Sequence, residues 1–451
     1  MAESNVIAPV FRWANWGIAD DVFTWINNSY FSSKNIDIRG NARGISLSKK
    51  LTLAIETTGT MHVIMKAKSN MYLAFGYMGT CYRCLNWTWD YKSTSWLWTN
   101  TIISAAVFND YVYVASATKL FKASVSDLES ENTATFTEVT TLTNADYHPL
   151  LVSMWDMYIG NGEKLSKVDI SNVFSDIFTL EKGWVIQKLT DLGWSIRVVT
   201  QSALWNSNIY LWDWVNDAPD ETIPLIWYVT YQTQIYNGYP YIVTNRWLGI
   251  LDGYKIYQLK KCNDFANINN WIGVYDERLV IAWTKGIYSW WAKNKNYSEV
   301  LSYDYEISNP NAKITAIYSD GINLFVAWKQ VTKTWIDVLS TSEYNTSWEL
   351  ITRGYYANSL KEIKDWILAG IGYSALKTWE SIEIQYSVDW WAFTTLRTLT
   401  PTTDTIANFT EDLFVRETFQ YIQFKIILNW NWTTTPSFYA LDFIFNNNVK
   451  R

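Results

Sequence analysis

A compact run of aromatic and aliphatic residues, often ending near a small residue and bordered by polar turns, recurs seven times through the middle of the chain. The runs are Met71-Tyr72-Leu73-Ala74-Phe75-Gly76, Tyr111-Val112-Tyr113-Val114-Ala115-Ser116, Met157-Tyr158-Ile159-Gly160-Asn161, Ile209-Tyr210-Leu211-Trp212, Pro240-Tyr241-Ile242-Val243-Thr244, Leu279-Val280-Ile281-Ala282-Trp283 and Leu324-Phe325-Val326-Ala327-Trp328. β-Branched and aromatic residues at this density suit strands, and runs this short, bounded by turn formers, are strand-like in length. Turn residues stand before several of them: Asn109-Asp110, Asn206-Ser207-Asn208, Asn237-Gly238 and Asp320-Gly321. A partner strand follows the second, third and sixth runs, at 118–123, 163–168 and 286–289. The runs begin roughly 30 to 50 residues apart, which brackets the period of about 40–50 residues of propeller blades. The pattern predicts an all-β chain whose residues 51–360 form a β-propeller of about seven blades. A tandem of β-sandwiches with coincidental spacing is the alternative, and the period argues against it.

The ends read differently. Residues 1–50 are polar and irregular, without a clean period, and are expected to form an extended N-terminal arm that gains order by packing on something else. Residues 373–447 are expected to form an antiparallel β-sandwich, with strands at 381–388, 393–398, 420–428 and 437–446, joined to the propeller near 361–372.

Tryptophan disturbs this picture. The chain holds 28 Trp but only 19 Gly in 451 residues, whereas Gly ordinarily makes up about 7% of a protein. Eight Trp directly follow Asn or Asp: Trp16, Trp87, Trp214, Trp271, Trp366, Trp390, Trp430 and Trp432. A type I′ hairpin turn needs φ > 0 at both central residues, so Asn-Gly and Asp-Gly dominate there, and a Trp in the second place meets the Cβ clash that Gly avoids. The segment 382–394 reads as a hairpin whose turn, Asp389-Trp390-Trp391, ought to be Asp-Gly-Gly, and 427–433 reads as a strand entering an Asn-Gly-Asn-Gly turn. Many of these Trp are therefore expected to be UGA codons of a glycine-reading genetic code translated as tryptophan. Replacing Trp283 and Trp328 by Gly would also bring the sixth and seventh runs closer to the others. Trp98 and Trp212, in apolar strand-like surroundings, are expected to be genuine. The alternative is a Trp-rich binding protein that presents aromatics for stacking on sugars or bases.

Composition narrows the chemistry. The net charge of −6, with no run of Lys or Arg longer than two, argues against a dedicated nucleic-acid binder. The first residues lack a basic segment followed by an apolar one, so no signal peptide is expected, and no apolar stretch is long enough for a membrane span. Cys81-Tyr82-Arg83-Cys84 has C-x-x-C spacing, but a zinc site would need two more ligands from His62, His148 and Cys262 alone. On a strand, residues three apart point to opposite faces, which weakens both a metal and a redox reading. Two His leave little for a Ser-His-Asp triad, and acids such as Asp20-Asp21 and Asp276-Glu277 are too many to choose among. The chain is expected to be no enzyme, with no catalytic, cofactor-binding or metal-binding residue and no cofactor.

The two ends carry a resemblance. Trp13-Ala14-Asn15-Trp16-Gly17-Ile18, Tyr30-Phe31 and Ile36-Asp37-Ile38-Arg39 at the start, with 382–394, 419–428 and 436–445 at the end, resemble the corresponding parts of virion-associated propeller proteins of metagenomic tailed phages. The resemblance extends over nearly the whole chain by layout and has no invariant signature. It implies a structural part of the phage tail or head–tail region, made in the host cytoplasm and located in the virion, acting as an assembly scaffold. Its partners would be other virion proteins and copies of itself, without direct nucleic-acid contact. A carbohydrate- or receptor-binding adhesin contacting a cell-surface glycan, and a propeller glycosidase, are the alternative readings.

Overall fold

The computed structural model describes residues 5–12, 30–37, 46–130, 132–193, 195–204, 206–261, 272–283, 286–291, 300–306, 311–352, 354–355, 364–401, 406–409, 418–430 and 436–446. The chain divides into two compact units, one of residues 52–285 and 309–338, the other of residues 1–51, 286–308 and 339–451.

The first unit is a β-propeller of seven blades. Their innermost strands are Met61–Lys68, Ser104–Phe108, Leu150–Ser153, Trp184–Asp191, Thr230–Tyr236, Ile272–Tyr275 and Lys313–Ser319. Each abuts the next and the seventh abuts the first, so the ring closes. Six blades are sheets in chain order, the first extended by the short strand Thr133–Thr135, which pairs in parallel with Thr88–Ser95. The sixth contributes its inner hairpin, Ile272–Tyr275 and Arg278–Trp283, to this unit. The seventh breaks chain order. Its strands Lys313–Ser319, Leu324–Gln330 and Lys333–Tyr344 are completed by Lys49–Thr57 from the start of the chain. Thr52 Oγ1 donates to Val338 O at 3.1 Å, and Thr334 Oγ1 to Thr57 O at 2.7 Å, so hydroxyls lace this seam from both sides.

The recurring runs become the second strand of each blade, and their apolar continuity has a direct cause. Blades stack face to face, so both faces of such a strand are buried. Alternate residues serve opposite neighbours. In the first blade Leu73 and Phe75 join the core shared with the second blade, with Val112 and Val114, while Tyr72 and Ala74 join the core shared with the seventh, with Phe325 and Ala327. The second blade repeats this: Tyr113 and Ala115 turn to the third blade, against Met157 and Ile159. Tyr158 then meets Tyr210 and Trp212 of the fourth. Burying one such side chain stabilises by roughly 1.5–3 kcal/mol, and the ring repeats the gain at each interface.

The second unit holds a β-sandwich. One sheet has the order Tyr30–Lys34, Ser347–Thr352, Ile422–Asn429, Ser381–Val388, Thr394–Leu399. The other has Asn5–Arg12, Phe438–Asn446, Lys364–Tyr373, Ile406–Phe409, with Thr418–Phe419 also paired to Lys364–Tyr373. Trp348, Leu350, Ile382, Ile384, Phe424, Ile426 and Leu428 of the first sheet pack with Ile371, Tyr373, Phe438 and Leu441 of the second in one core. Between the inward Ile382, Ile384 and Tyr386, the outward Glu383 and Gln385 alternate, as a sheet with one buried face requires. The four expected strands lie within one or two residues of 381–388, 394–399, 422–429 and 438–446. The sandwich also draws on more chain than 373–447: Asn5–Arg12 and Tyr30–Lys34, inside the expected arm, are strands paired to it. Among the described residues of the arm, Ile36 and Asp37 pair with Leu47 and Ser46 in a separate two-stranded ladder. The range 51–360 expected for the propeller also overlaps the sandwich, which takes Ser347–Thr352 as a strand.

The tight turns place Trp where the sequence chemistry asks for Gly. Asn237-Gly238, with φ of 50° and 80°, form a left-handed pair between antiparallel strands, as do Asn109-Asp110 and Asp276-Glu277. Asn86-Trp87 and Asp389-Trp390 take the same conformation, with φ of 49° and 69° and of 46° and 71°. Trp96, Trp214, Trp227 and Trp379 are left-handed as well, making six such Trp among the described residues. Five of the six, Trp214 excepted, are exposed. The rest of the pattern is mixed. Trp430 is buried in the sandwich core, Trp366 lies in strand Lys364–Tyr373, and Trp16, Trp271 and Trp432 lie outside the described residues. Trp328 is buried in the seventh blade; Trp283 ends a strand, and its side chain lies outside the described ones. Trp212 is buried, with Nε1 donating to Asn216 O at 2.7 Å, in keeping with a genuine tryptophan. Trp98 differs from expectation: the strand Thr88–Ser95 ends before the left-handed Trp96, Leu97 turns inward, and Trp98 is exposed in the turn.

A left-handed L-residue costs about 1–2 kcal/mol that Gly avoids. Trp227→Gly and Trp379→Gly are expected to raise the thermal midpoint, each by about 1 kcal/mol of stability, whereas Trp212→Gly should lower it by about 3–5 kcal/mol. Thermal denaturation followed by circular dichroism separates the two classes, and destabilisation by Trp227→Gly would contradict this reading of the turns.

Candidate functional site

The propeller channel is the candidate site. A cavity of about 440 Å³ opens among the inner strands, lined by Ile64 of the first blade, Lys188 of the fourth, Gln234 of the fifth, residues 272–274 of the sixth and residues 317–321 of the seventh. Two features of the inner strands shape its chemistry.

The first is a β-bulge in the fourth blade. Ile186 pairs with Thr200 and Lys188 with Val199, leaving Gln187 as the extra residue. Ile186 and Leu189, three apart, both enter the core between the third and fourth blades. Strict alternation would put Lys188 on the face of Ile186; the bulge re-aims it to line the channel. Burial by the surrounding strands pushes the Lys188 ammonium down to about 8, and no hydrogen bond or ion pair to another described residue compensates.

The second is a clasp between the first and seventh blades. The Asp320 Oδ2 accepts from Lys66 Nζ and from Tyr72 OH, both at 2.8 Å, while Oδ1 accepts from the backbone N–H groups of Ile322 and Asn323. Asn323 Nδ2 donates to Tyr72 OH at 3.0 Å. Burial by itself would push the Asp320 carboxyl up. The hydrogen bond from Lys66, with those from Asn323, Tyr72 and Ile322, outweighs it and holds the carboxyl well below the usual range. Burial, then the neighbouring carboxylate, push the Tyr72 phenol up to about 12. Asp276 N–H donates to Gly321 O at 2.9 Å, so the hairpin that carries Asp320 is also tied to the sixth blade.

The sequence candidates lie elsewhere. Cys81 enters the core between the first and second blades and Cys84 that between the first and seventh, on opposite faces of one strand as their spacing implied. Burial pushes both thiols up, Cys84 to about 11, which keeps them protonated. His148 is buried with its ring nitrogens 2.8 Å from Gly160 O and 3.1 Å from Ala117 O, joining the second and third blades; Ser104 Oγ donates to the His148 carbonyl oxygen. Burial, then Lys329, lower the His62 imidazole. Asp276 and Glu277 form a turn, and Asp276 pairs with Arg278. Cys262 and Asp20-Asp21 lie outside the described residues, among which no cluster of three or more His, Cys, Asp or Glu could hold a metal. Sequence reasoning missed Lys188, Lys66 and the role of Asp320. A Lys between Ile186 and Leu189 in the interior of the strand Trp184–Asp191 was the available signal for Lys188.

An aromatic cleft of about 530 Å³ is lined by Ser95, Trp96, Trp98 and Thr99 on the first blade. A second buried acid, Asp337, sits opposite Val326 beside the closing seam, and burial pushes its carboxyl up to about 6. Because the folded carboxyl binds its proton more tightly than the unfolded one, stability falls as pH rises from about 4 to about 6, and the penalty is complete above that window. Asp337→Asn should raise stability at pH 7.5 by on the order of 2 kcal/mol and flatten the slope between pH 4 and pH 7. Urea midpoints across that range check this, and an unchanged slope would contradict it.

Neither a family model nor a curated protein matches the chain. Among solved structures it is similar to YCF48 bound to D1 peptide, at 10% identity over 65% of this chain and 95% of that one, with a TM-score of 0.47. It is similar to the WD40 β-propeller domain of Doa1, at 10% identity over 65% and 97%, with a TM-score of 0.47. The β-propeller domain of Myceliophteria thermophila Cps50 (Swd1) matches at 10% identity over 63% and 98%, with a TM-score of 0.45.

Proposed function

We propose that the chain is a non-enzymatic structural component of a phage virion, a scaffold in the tail or head–tail region that works by surface contact with other virion proteins or copies of itself. The observation that carries this reading is the gathering of both chain ends in one sandwich. Asn5–Arg12 pairs with Phe438–Asn446, and Tyr30–Lys34, Ser381–Val388, Ile422–Asn429 and Phe438–Asn446, which include described parts of the segments resembling virion propeller proteins, lie in one unit. The strand Thr394–Leu399 ends its sheet and is mostly exposed, a geometry suited to strand addition by a partner.

The same proposal covers the left-handed Trp. In the protein as its source makes it, glycine stands at Trp87, Trp96, Trp214, Trp227, Trp379 and Trp390, read from UGA. Turn geometry supports glycine at each of these positions; Trp96, Trp227 and Trp379 are exposed, while the exposed Trp87 and Trp390 each lay one face on a buried ring, Phe325 and Tyr421. A second reading has one specific observation behind it. The cleft at Trp96 and Trp98 would suit the face of a sugar ring if both indoles are real.

Peptide mass spectrometry on particles purified from the source tests both parts. The tryptic peptide 378–397 is expected in intact particles, with glycine at 379 and 390. The peptide found only outside particles would overturn the virion role, and Trp at both positions would overturn the glycine assignment and favour the sugar-binding reading.

A further inference from the structure

We infer that the propeller channel is a binding site for a carboxylate group, with Lys188 as its counter-ion. This goes beyond the scaffold reading and does not rest on it. Lys188 lines the 440 Å³ cavity, aimed there by the bulge at Gln187, and its ammonium has no hydrogen-bond or ion-pair partner among the described residues. A half-buried charge left without a counter-ion is costly, and an incoming anion lowers that cost. The carboxylate lining the same cavity cannot serve, because Asp320 already accepts from Lys66, Tyr72, Ile322 and Asn323. The remaining wall suits a small acid. Gln234 and Ser319 offer polar groups, while Ile64, Ile272, Val274 and Ile317 offer an apolar surface for a short carbon chain. The space accommodates a ligand of a few carbons or an acidic side chain, and those are the two sources of the same chemistry.

Isothermal titration of the full chain with succinate in one series and with hexa-glutamate peptide in another tests the inference. Saturable binding of at least one is expected, weakened about tenfold or more in Lys188→Met, kept in Lys188→Arg, and unchanged in Lys119→Met, whose side chain pairs with Glu138 on the second blade. Binding of succinate identifies a small organic acid as the source; binding of the peptide alone identifies a protein segment. Should Lys188→Met fail to fold, protection of Lys188 from acetylation by the bound probe gives the same answer on the unaltered chain. No saturable binding of either probe, or binding unaffected in a folded Lys188→Met variant, would overturn it.

Discussion

Face-to-face burial between successive blades is the interaction on which the propeller depends. One blade cannot bury both of its faces alone, so each second strand is apolar on both sides and relies on two neighbours. A chain of such sheets would leave apolar faces at its two ends, and closing the ring removes them. Closure therefore matters more than any one interface. Tyr72 and Phe325, with ring centroids 4.7 Å apart, meet where the first and seventh blades join, and the Asp320 clasp lies beside them. The strand Lys49–Thr57 completes the seventh sheet from the far end of the sequence. This covalent crossing lets the first residues of the propeller hold its last blade in place.

The channel follows from that ring. Inner strands converge on one axis, so a single irregularity there changes what the channel presents. In the fourth blade an extra residue sends an ammonium inward; in the seventh a tight hairpin brings in a carboxylate that its own neighbours satisfy. The resulting asymmetry, one paired acid and one unpaired base, gives a channel built from repeated strands a particular chemical preference. Asp337 is a contrasting case, held in the wall beside the seam, where its charge is a liability to the fold rather than a feature of the channel.

Much of the architecture was legible in the sequence because apolar continuity has a direct physical cause. Tyr111–Ala115 and Asp156–Asn161 read as strands since nearly every residue faces a core. The sandwich strands were legible for the opposite reason, the alternation of Ile382, Ile384 and Tyr386 with polar residues. The pairing of Asn5–Arg12 and Tyr30–Lys34 was not legible, because it depends on partners more than 300 residues away and leaves no local period. The aim of Lys188 into the channel was hidden because a bulge is a matter of register, which composition does not encode. Trp87 and Trp390 were legible through chemistry alone: Asn and Asp before them announced a turn that tryptophan does not suit. Trp98 misled because the apolar Leu97 beside it turns inward from a loop instead of marking a strand.

Native-state hydrogen exchange on the amides of 52–57 tests the closed ring most directly. If this segment is the outer strand that latches the seventh blade, the amides that donate across the seam should exchange only through global opening, at the rate of those in Leu324–Gln330, and deleting residues 1–57 should expose the core between the first and seventh blades. Exchange of all the 52–57 amides within seconds while Leu324–Gln330 stays protected would contradict the closure on which the account rests.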